Sequence, residues 1–135
     1  MKRIVTMQDL SCLGKCSLTV IHPTVSAMGV ACAVLPTALL STHTAFPSPA
    51  VRDLSDCARP ILDHWQAIGA SFDGILTGYL ANAGQAELAL ELIDRFGRNA
   101  LVIQDRPWPT TGGSTPALAR RWWRPTGASA RKRIW

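Results

Sequence analysis

The chain has 135 residues, 47% of them hydrophobic, and a formal charge of +5. That length admits one domain with a real core, and that apolar content excludes an intrinsically disordered chain. No apolar run reaches the ~18 residues a membrane span requires. Only Ile4 to Met7 separate the basic start from Gln8 and Asp9, too little for a signal peptide, so the expectation is a cytoplasmic protein with no membrane partner.

In chain order, Ile4-Val5-Thr6-Met7 reads as a strand and Gln8 to Lys15 as a tight polar loop. From Cys16 the apolar positions Leu18, Val20, Ile21, Val25 and Met28 read as a helix stopped by Gly29. A loop between a strand's carboxyl end and a helix's amino end suits a polar or anionic ligand, because free N–H groups and the helix dipole point into it. Val30 to Leu35 is a second apolar run, ended by Pro36-Thr37 and fit for a strand buried on both faces. Ser41 to Pro49 is a flap rich in Ser, Thr, His and Pro, where Pro47 and Pro49 exclude a helix.

From Asp53, the positions Leu54, Cys57, Ile61, Leu62, Trp65 and Ile68 form one helical face, with Asp53 or Ser55 as cap and Gly69 as stop. Pro60 inside it predicts a kink or a late start. Gly74 to Thr77 is a third strand, Ala83 to Phe96 the clearest helix, and Ala100 to Gln104 a fourth strand ending on Asp105. The order β-α-β-flap-α-β-α-β predicts an α/β fold with a mostly parallel sheet, flanking helices and right-handed crossovers.

Ligands in such sheets bind beyond the carboxyl ends of the strands, here Gln8-Asp9-Ser11, Pro36-Thr37, Thr77-Gly78-Tyr79 and Asp105, with the flap bearing His43 on the same rim. Taken singly, His43 reads as a loop histidine, Tyr79 as a packing residue and Asp105 as a turn former. No Walker loop, G-x-S-x-G, H-E-x-x-H or G-x-G-x-x-G motif occurs. Cysteines 12, 16, 32 and 57 lack metal-ligand spacing and read as reduced, buried thiols. The residues alone therefore reach a small-molecule site on an α/β sheet.

A resemblance carries the reading further. The run Met7-Gln8-Asp9-Leu10-Ser11-Cys12-Leu13-Gly14-Lys15-Cys16-Ser17-Leu18-Thr19-Val20 resembles the amino terminus of bacterial pyridoxal/pyridoxamine kinases, of the ribokinase-like superfamily. So do Leu35-Pro36-Thr37-Ala38, Leu40-Ser41-Thr42-His43-Thr44, Arg52-Asp53-Leu54, His64-Trp65 and Thr77-Gly78-Tyr79-Leu80. These blocks keep their order and spacing across residues 1–105. The resemblance implies part of a three-layer ribokinase-like fold, truncated after the fourth strand. It implies ATP and Mg²⁺ as cosubstrate and metal, and transfer of the γ-phosphate to the 5′-hydroxymethyl group of pyridoxal, pyridoxamine or pyridoxine. A homodimer is also implied.

By the same resemblance, Asp9 and Ser11 make polar contacts to the pyridine ring and its substituents, Thr37, His43 and Tyr79 line the ring, and Asp105 lies near the ATP phosphates and their metal ions. Two departures stand out. Ala45-Phe46-Pro47-Ser48-Pro49 replaces the family's usual Gly-Gly-Phe after Ser-Thr-His-Thr. Family members also run to about twice this length, and the half without a counterpart holds the Gly-rich anion hole, the catalytic aspartate and most of the adenine pocket.

Residues 106–135 carry seven of the fourteen Lys/Arg, none of the nine Asp/Glu and four of the five Trp. Such a tail can read as a nucleic-acid arm. Back-translated and read one frame over, however, the stretch after Asp105 allows Pro-x-Met-Ala-Asp-His-Gly-Arg-Leu-Tyr-x-Gly-Phe. The resembled family continues there as Pro-Val-Met-x-Asp-x-Gly-x-Leu-Tyr-x-Gly-Phe. The expectation is a frameshift near codon 105, an irregular and out-of-frame tail, and no nucleic-acid partner. The product would be truncated and inactive; the alternatives are a short module that binds a B6 vitamer without phosphorylating it, and a nucleic-acid-associated protein. Resequencing the locus should find an open neighbouring frame encoding the rest of a kinase downstream of codon 105, whereas a neighbouring frame closed by stop codons would remove the frameshift.

Overall fold

The computed structural model describes residues 1–78 and 80–104. Tyr79, Asp105 and residues 106–135 lie outside the described residues, and with them the expectations placed on their side chains and on the tail. The elements are β1 (Arg3–Leu13), α1 (Leu18–Ala27), β2 (Ala31–Thr42), β3 (Val51–Asp53), α2 (Ser55–Ala67), β4 (Gly74–Thr77), α3 (Ala83–Phe96) and β5 (Leu101–Gln104). They build one five-stranded sheet of order β3-β2-β1-β4-β5. β1, β2, β4 and β5 run parallel, while β3 pairs antiparallel with Ala38–Leu40 of β2. The expected α/β class, mostly parallel sheet and flanking helices are present. The fifth strand is new: the flap expected between two parallel strands is instead the tip of a β2–β3 hairpin, closed by Ser41 N–H donating to the Ala50 carbonyl at 2.9 Å.

Two element ends move. β1 continues to Leu13, where it still pairs with Thr42, so Gln8 to Leu13 is strand and not loop. β2 runs on through Pro36 to Thr42. Polarity suggested a loop because Gln8, Asp9 and Ser11 interrupt the apolar run. Pairing between β1 and β2 satisfies the backbone instead, and the side chains bond locally, Gln8 Nε2 to Thr6 Oγ1 at 3.0 Å and Ser11 Oγ to Asp9 Oδ2 at 3.2 Å. α2 runs without interruption through Pro60, starting at Ser55 with no late start. The cap position falls to Leu54, which makes no side-chain cap bond, rather than to Asp53 or Ser55. Asp53, one residue upstream of Leu54, accepts at Oδ1 from the Ser55 N–H.

Proline inside β2 is accommodated by an irregularity. The register passes from Gln8↔Pro36 to Leu10↔Leu39, so Thr37 and Ala38 together oppose the single residue Asp9. This is a β-bulge on β2, the setting in which a strand tolerates a residue that cannot donate to the ladder.

The core lies on one face of the sheet. Val5 and Met7 of β1, Leu35 of β2 and Ile75 of β4 pack with Ala58 and Leu62 of α2 and with Leu88, Ala89 and Leu92 of α3. Trp65, Phe72 and Phe96 close its far end edge to face, with Phe72 centroids 5.4 Å from each of the other two rings. Arg95 bridges Asp63 at 2.6 Å across α2 and α3, and surface pairs of this kind contribute only ~0–1 kcal/mol. α1 contacts β1 and β2, and buries only Leu18. Because α1 joins β1 to β2 while α2 and α3 lead the other way across the sheet, right-handed crossovers put α1 on the opposite face. That makes three layers. No helix among the described residues is long and apolar enough to cross a membrane.

The core assignment predicts a contrast measurable by chemical denaturation. Leu62, fully buried, should cost ~2–5 kcal/mol as Leu62→Ala. Ile68, 63% exposed at the end of α2, should change stability by no more than ~0.5 kcal/mol as Ile68→Ala.

Candidate functional site

The reversal of strand order falls at β1, whose neighbours β2 and β4 are reached by connections running in opposite directions. A crevice at the carboxyl end of such a strand is the usual ligand position in open α/β sheets. The carboxyl half of β1 is unusual for a central strand in being buried and polar. Thr6, Gln8 and Ser11 are 8% exposed or less, as are Thr37 of β2 and Thr77 of β4.

Asp9 occupies the position opposite the bulge. Its half-buried carboxylate accepts from Ser11 Oγ at 3.2 Å and from Ser17 Oγ at 2.6 Å. Ser17 thereby ties the turn before α1 back onto the strand, and the Leu10↔Ser17 bridge reinforces the tie. Its backbone is held at φ +49°, a left-handed value rare for a residue with a side chain. Strain of this kind persists only where surrounding bonds over-determine it. Ser17 stands at the N-cap position of α1, but its hydroxyl makes no cap bond and donates to Asp9 instead.

Thr37 is buried in the bulge, across the ladder from Asp9. Its carbonyl accepts from the Leu54 N–H at 3.0 Å and from Gln85 Nε2 at 3.3 Å. Gln85 and its partner Asn82 carry the sequence signal Asn-x-x-Gln before an apolar helix, the capping-box pattern. Asn82 Oδ1 accepts from the Gln85 N–H at 2.9 Å, and Asn82 Nδ2 reaches Asp53 Oδ2 at 3.4 Å. Bonds from the Ser55 hydroxyl and N–H hold the Asp53 carboxyl below its ordinary range.

His43 sits farther along, where β2 ends and its N–H donates to the Leu13 carbonyl. Nδ1 accepts from the Ala45 N–H at 3.2 Å, so a neutral ring carries its proton on Nε2. The imidazole tilts against Phe46, with centroids 4.9 Å apart, and lies over Gly14. A Cβ on Gly14 would stand 2.2 Å from His43 Cδ2, and Gly14 has φ +85°. Gly78 is similarly crowded: a Cβ there would lie 2.7 Å from Gln8 Cγ.

Of the expected site residues, the structure joins Asp9 to Ser11 directly and sets Thr37 opposite them. His43 is strung beyond them at the strand ends and shares no hydrogen bond with them. The cysteines are a correction: Cys12, Cys16 and Cys57 are exposed and Cys32 is half-buried. Free thiols were inferred from compartment, which governs oxidation and says nothing of burial. Among the described residues no three His, Cys, Asp or Glu side chains group as a metal site.

No family model and no curated protein matches the chain. Solved structures do. A protein from Bacteroides thetaiotaomicron described as a phosphomethylpyrimidine kinase is 35% identical over 85% of this chain and 40% of its own, with a TM-score of 0.78. A second crystal form of a protein of that description and source, with pyridoxal, is 34% identical with a TM-score of 0.74, covering 82% of this chain and 42% of its own. Pyridoxal kinase from Lactobacillus plantarum is 32% identical over 78% of this chain and 38% of its own, with a TM-score of 0.73. The pyridoxal kinase from Staphylococcus aureus, in complex with AMP-PCP, shares the fold at 19% identity and a TM-score of 0.69, over 82% of this chain and 40% of its own.

Gly14 offers a direct test of the site's geometry. Gly14→Ala must adopt a left-handed backbone, at ~1–2 kcal/mol, and must also expel the His43 ring. Gly29→Ala pays the backbone cost alone, since nothing lies within 4 Å of its Cβ position. The His43 ring resonances should therefore move in Gly14→Ala and stay in place in Gly29→Ala.

With its three-layer fold and these levels of identity, the chain is a relative of the pyridoxal and phosphomethylpyrimidine kinases, spanning about two fifths of the length of those it matches.

Proposed function

We propose that this chain carries the vitamin B6 site of an ATP-dependent kinase of the pyridoxal type and corresponds to the amino-terminal portion of one. The observation that carries the reading is the part-buried Asp9–Ser11 carboxylate–hydroxyl pair at the bulge beside Thr37, toward the carboxyl ends of the strands. It gains weight from the 34%-identical relative solved with pyridoxal. A pyridine bearing a phenolic oxygen, an aldehyde and a hydroxymethyl arm needs donors and acceptors of this kind around its rim and flat groups over its face. Asp9 can accept from a hydroxyl or a protonated ring nitrogen. Ser11 and Thr37 hydroxyls can donate or accept, and the His43 ring, with Tyr79 by resemblance, can cover the ring face. Pyridoxamine and pyridoxine present the same ring.

In the whole kinase, ATP would supply the γ-phosphate and Mg²⁺ would neutralise charge on the phosphates. The described residues group no three His, Cys, Asp or Glu side chains as a metal site. Their part is to bind and orient the ring. The resemblance puts the anion hole and the base for the attacking hydroxyl beyond residue 105, and such a base is typically worth ~10²–10⁴-fold in rate. Residues 1–105 are read as the in-frame part and 106–135 as an out-of-frame tail.

The test is a pyridoxal titration followed by calorimetry, paired with an assay of pyridoxal phosphate formation. The 135-residue chain should bind pyridoxal weakly. Because one stacked aromatic contributes ~0.5–1.5 kcal/mol, Tyr79→Ala should weaken binding by ~2- to 10-fold. The short chain should form no product and a frame-corrected chain should. Nanomolar affinity untouched by Tyr79→Ala would refute the assigned ring site, and inactivity of the frame-corrected chain would refute the kinase.

A further inference from the structure

Of the two buried glutamines among the described residues, Gln8 and Gln85, the second is the more deeply buried, at 1% exposure in the first turn of α3. A buried amide left unpaired is costly, and this one uses both of its ends on the backbone of other segments. Oε1 accepts from the Ala81 N–H at 2.9 Å and Nε2 donates to the Thr37 carbonyl at 3.3 Å. In an ordinary capping box the side chain at this position folds back to the N–H of the cap residue. Here it reaches one residue further, to Ala81, and its other end crosses to the bulge of β2. Its own N–H is fixed by Asn82 Oδ1 at 2.9 Å. The helix start, the segment leaving β4 and the bulged strand are thereby joined through one side chain.

We propose that Gln85 is a positioning residue for the ring site: it sets the separation between the bulge that carries Thr37 and the Ala81–Asn82 segment that precedes α3. This rests on the B6 reading above, in which Thr37 lines the ring. The chemistry requires an amide. A neutral amide donates at one end and accepts at the other, whereas an ionised carboxylate only accepts. Glutamate at this position would keep the bond from Ala81 and turn a lone pair toward the Thr37 carbonyl. Once protonated, the same glutamate could donate again. Asp53, whose carboxyl is held below its ordinary range chiefly by Ser55 and to a lesser extent through Asn82 and Gln85, lies close to this place, and its carboxylate would push the introduced glutamate's pKa upward.

The experiment uses the 135-residue chain and two variants, Gln85→Leu and Gln85→Glu. Without ligand, Ala81 amide exchange should accelerate at least ~10-fold in Gln85→Leu and stay near the parent rate in Gln85→Glu, which retains the acceptor. With pyridoxal, both variants should bind ~10-fold or more weakly than the parent at pH 8. Measured where circular dichroism shows Gln85→Glu fully folded at both pH values, so that recovery of the fold itself does not contribute, the ratio of Gln85→Glu to parent affinity should rise toward unity as pH falls to 5; taking the ratio removes the titration of pyridoxal itself. Should Gln85→Leu not fold, the pH dependence of Gln85→Glu decides alone. An unchanged Ala81 exchange rate in folded Gln85→Leu, or an affinity ratio flat from pH 8 to pH 5, overturns the proposal. A parent chain that ignores pyridoxal overturns the ring site and the coupling to it, while the Ala81 exchange rate still judges the clamp.

Discussion

The structure depends on the bulge at Pro36–Ala38. A central strand cannot ordinarily hold proline, because the missing N–H leaves a gap in the ladder. Here two residues of β2 stand against Asp9 alone, and the irregularity is put to use. The Thr37 carbonyl turns to the Leu54 N–H and to Gln85, which fasten the starts of α2 and α3 to the sheet. Asp9, opposite the bulge, is free to take two serine hydroxyls, one from its own strand and one from the turn before α1. The segments that enter all three helices are therefore fixed within a few residues of one backbone defect.

β1 divides at the same place. Its first half, through Val5 and Met7, belongs to the hydrophobic core. Its second half is buried but polar, and each buried group finds a local partner: Gln8 with Thr6, Ser11 with Asp9. Buried polar groups are tolerable only when satisfied, and satisfied ones hold their geometry. Polar groups held this way are ordered in advance, which limits the ordering cost of binding a ligand beside them.

The two faces of the sheet are unequal. α2 and α3 cover one face, whereas Leu101 and Ile103 of β5 and Val34 of β2 remain 36–43% exposed. Apolar strand residues in that position mark a surface suited to further burial. The relatives extend more than twice as far as this chain.

Periodicity alone determined the elements with clear boundaries. Ala83–Phe96 follows a 3.6-residue apolar repeat from Ala86 to Phe96 and is bounded by Asn82 and Gly97, and β4 is a four-residue run between polar segments; both appear as read. The sequence of blocks from Met7 to Leu80 was enough to name the relatives. What it could not decide was which polar residues belong to strands. Gln8 to Leu13 reads as loop because strand pairing is not a local property: the hydrogen bonds that hold it come from β2, some thirty residues away. β3 was missed for the same reason, since three exposed residues form a strand only because Ala38–Leu40 offers an edge. Asp9, Ser11 and Thr37 could be nominated from sequence, but Ser17, Gly14 and Gln85 could not. Their roles lie in a bond, a close approach and a clamp between segments distant along the chain, and only the tertiary structure brings those segments together.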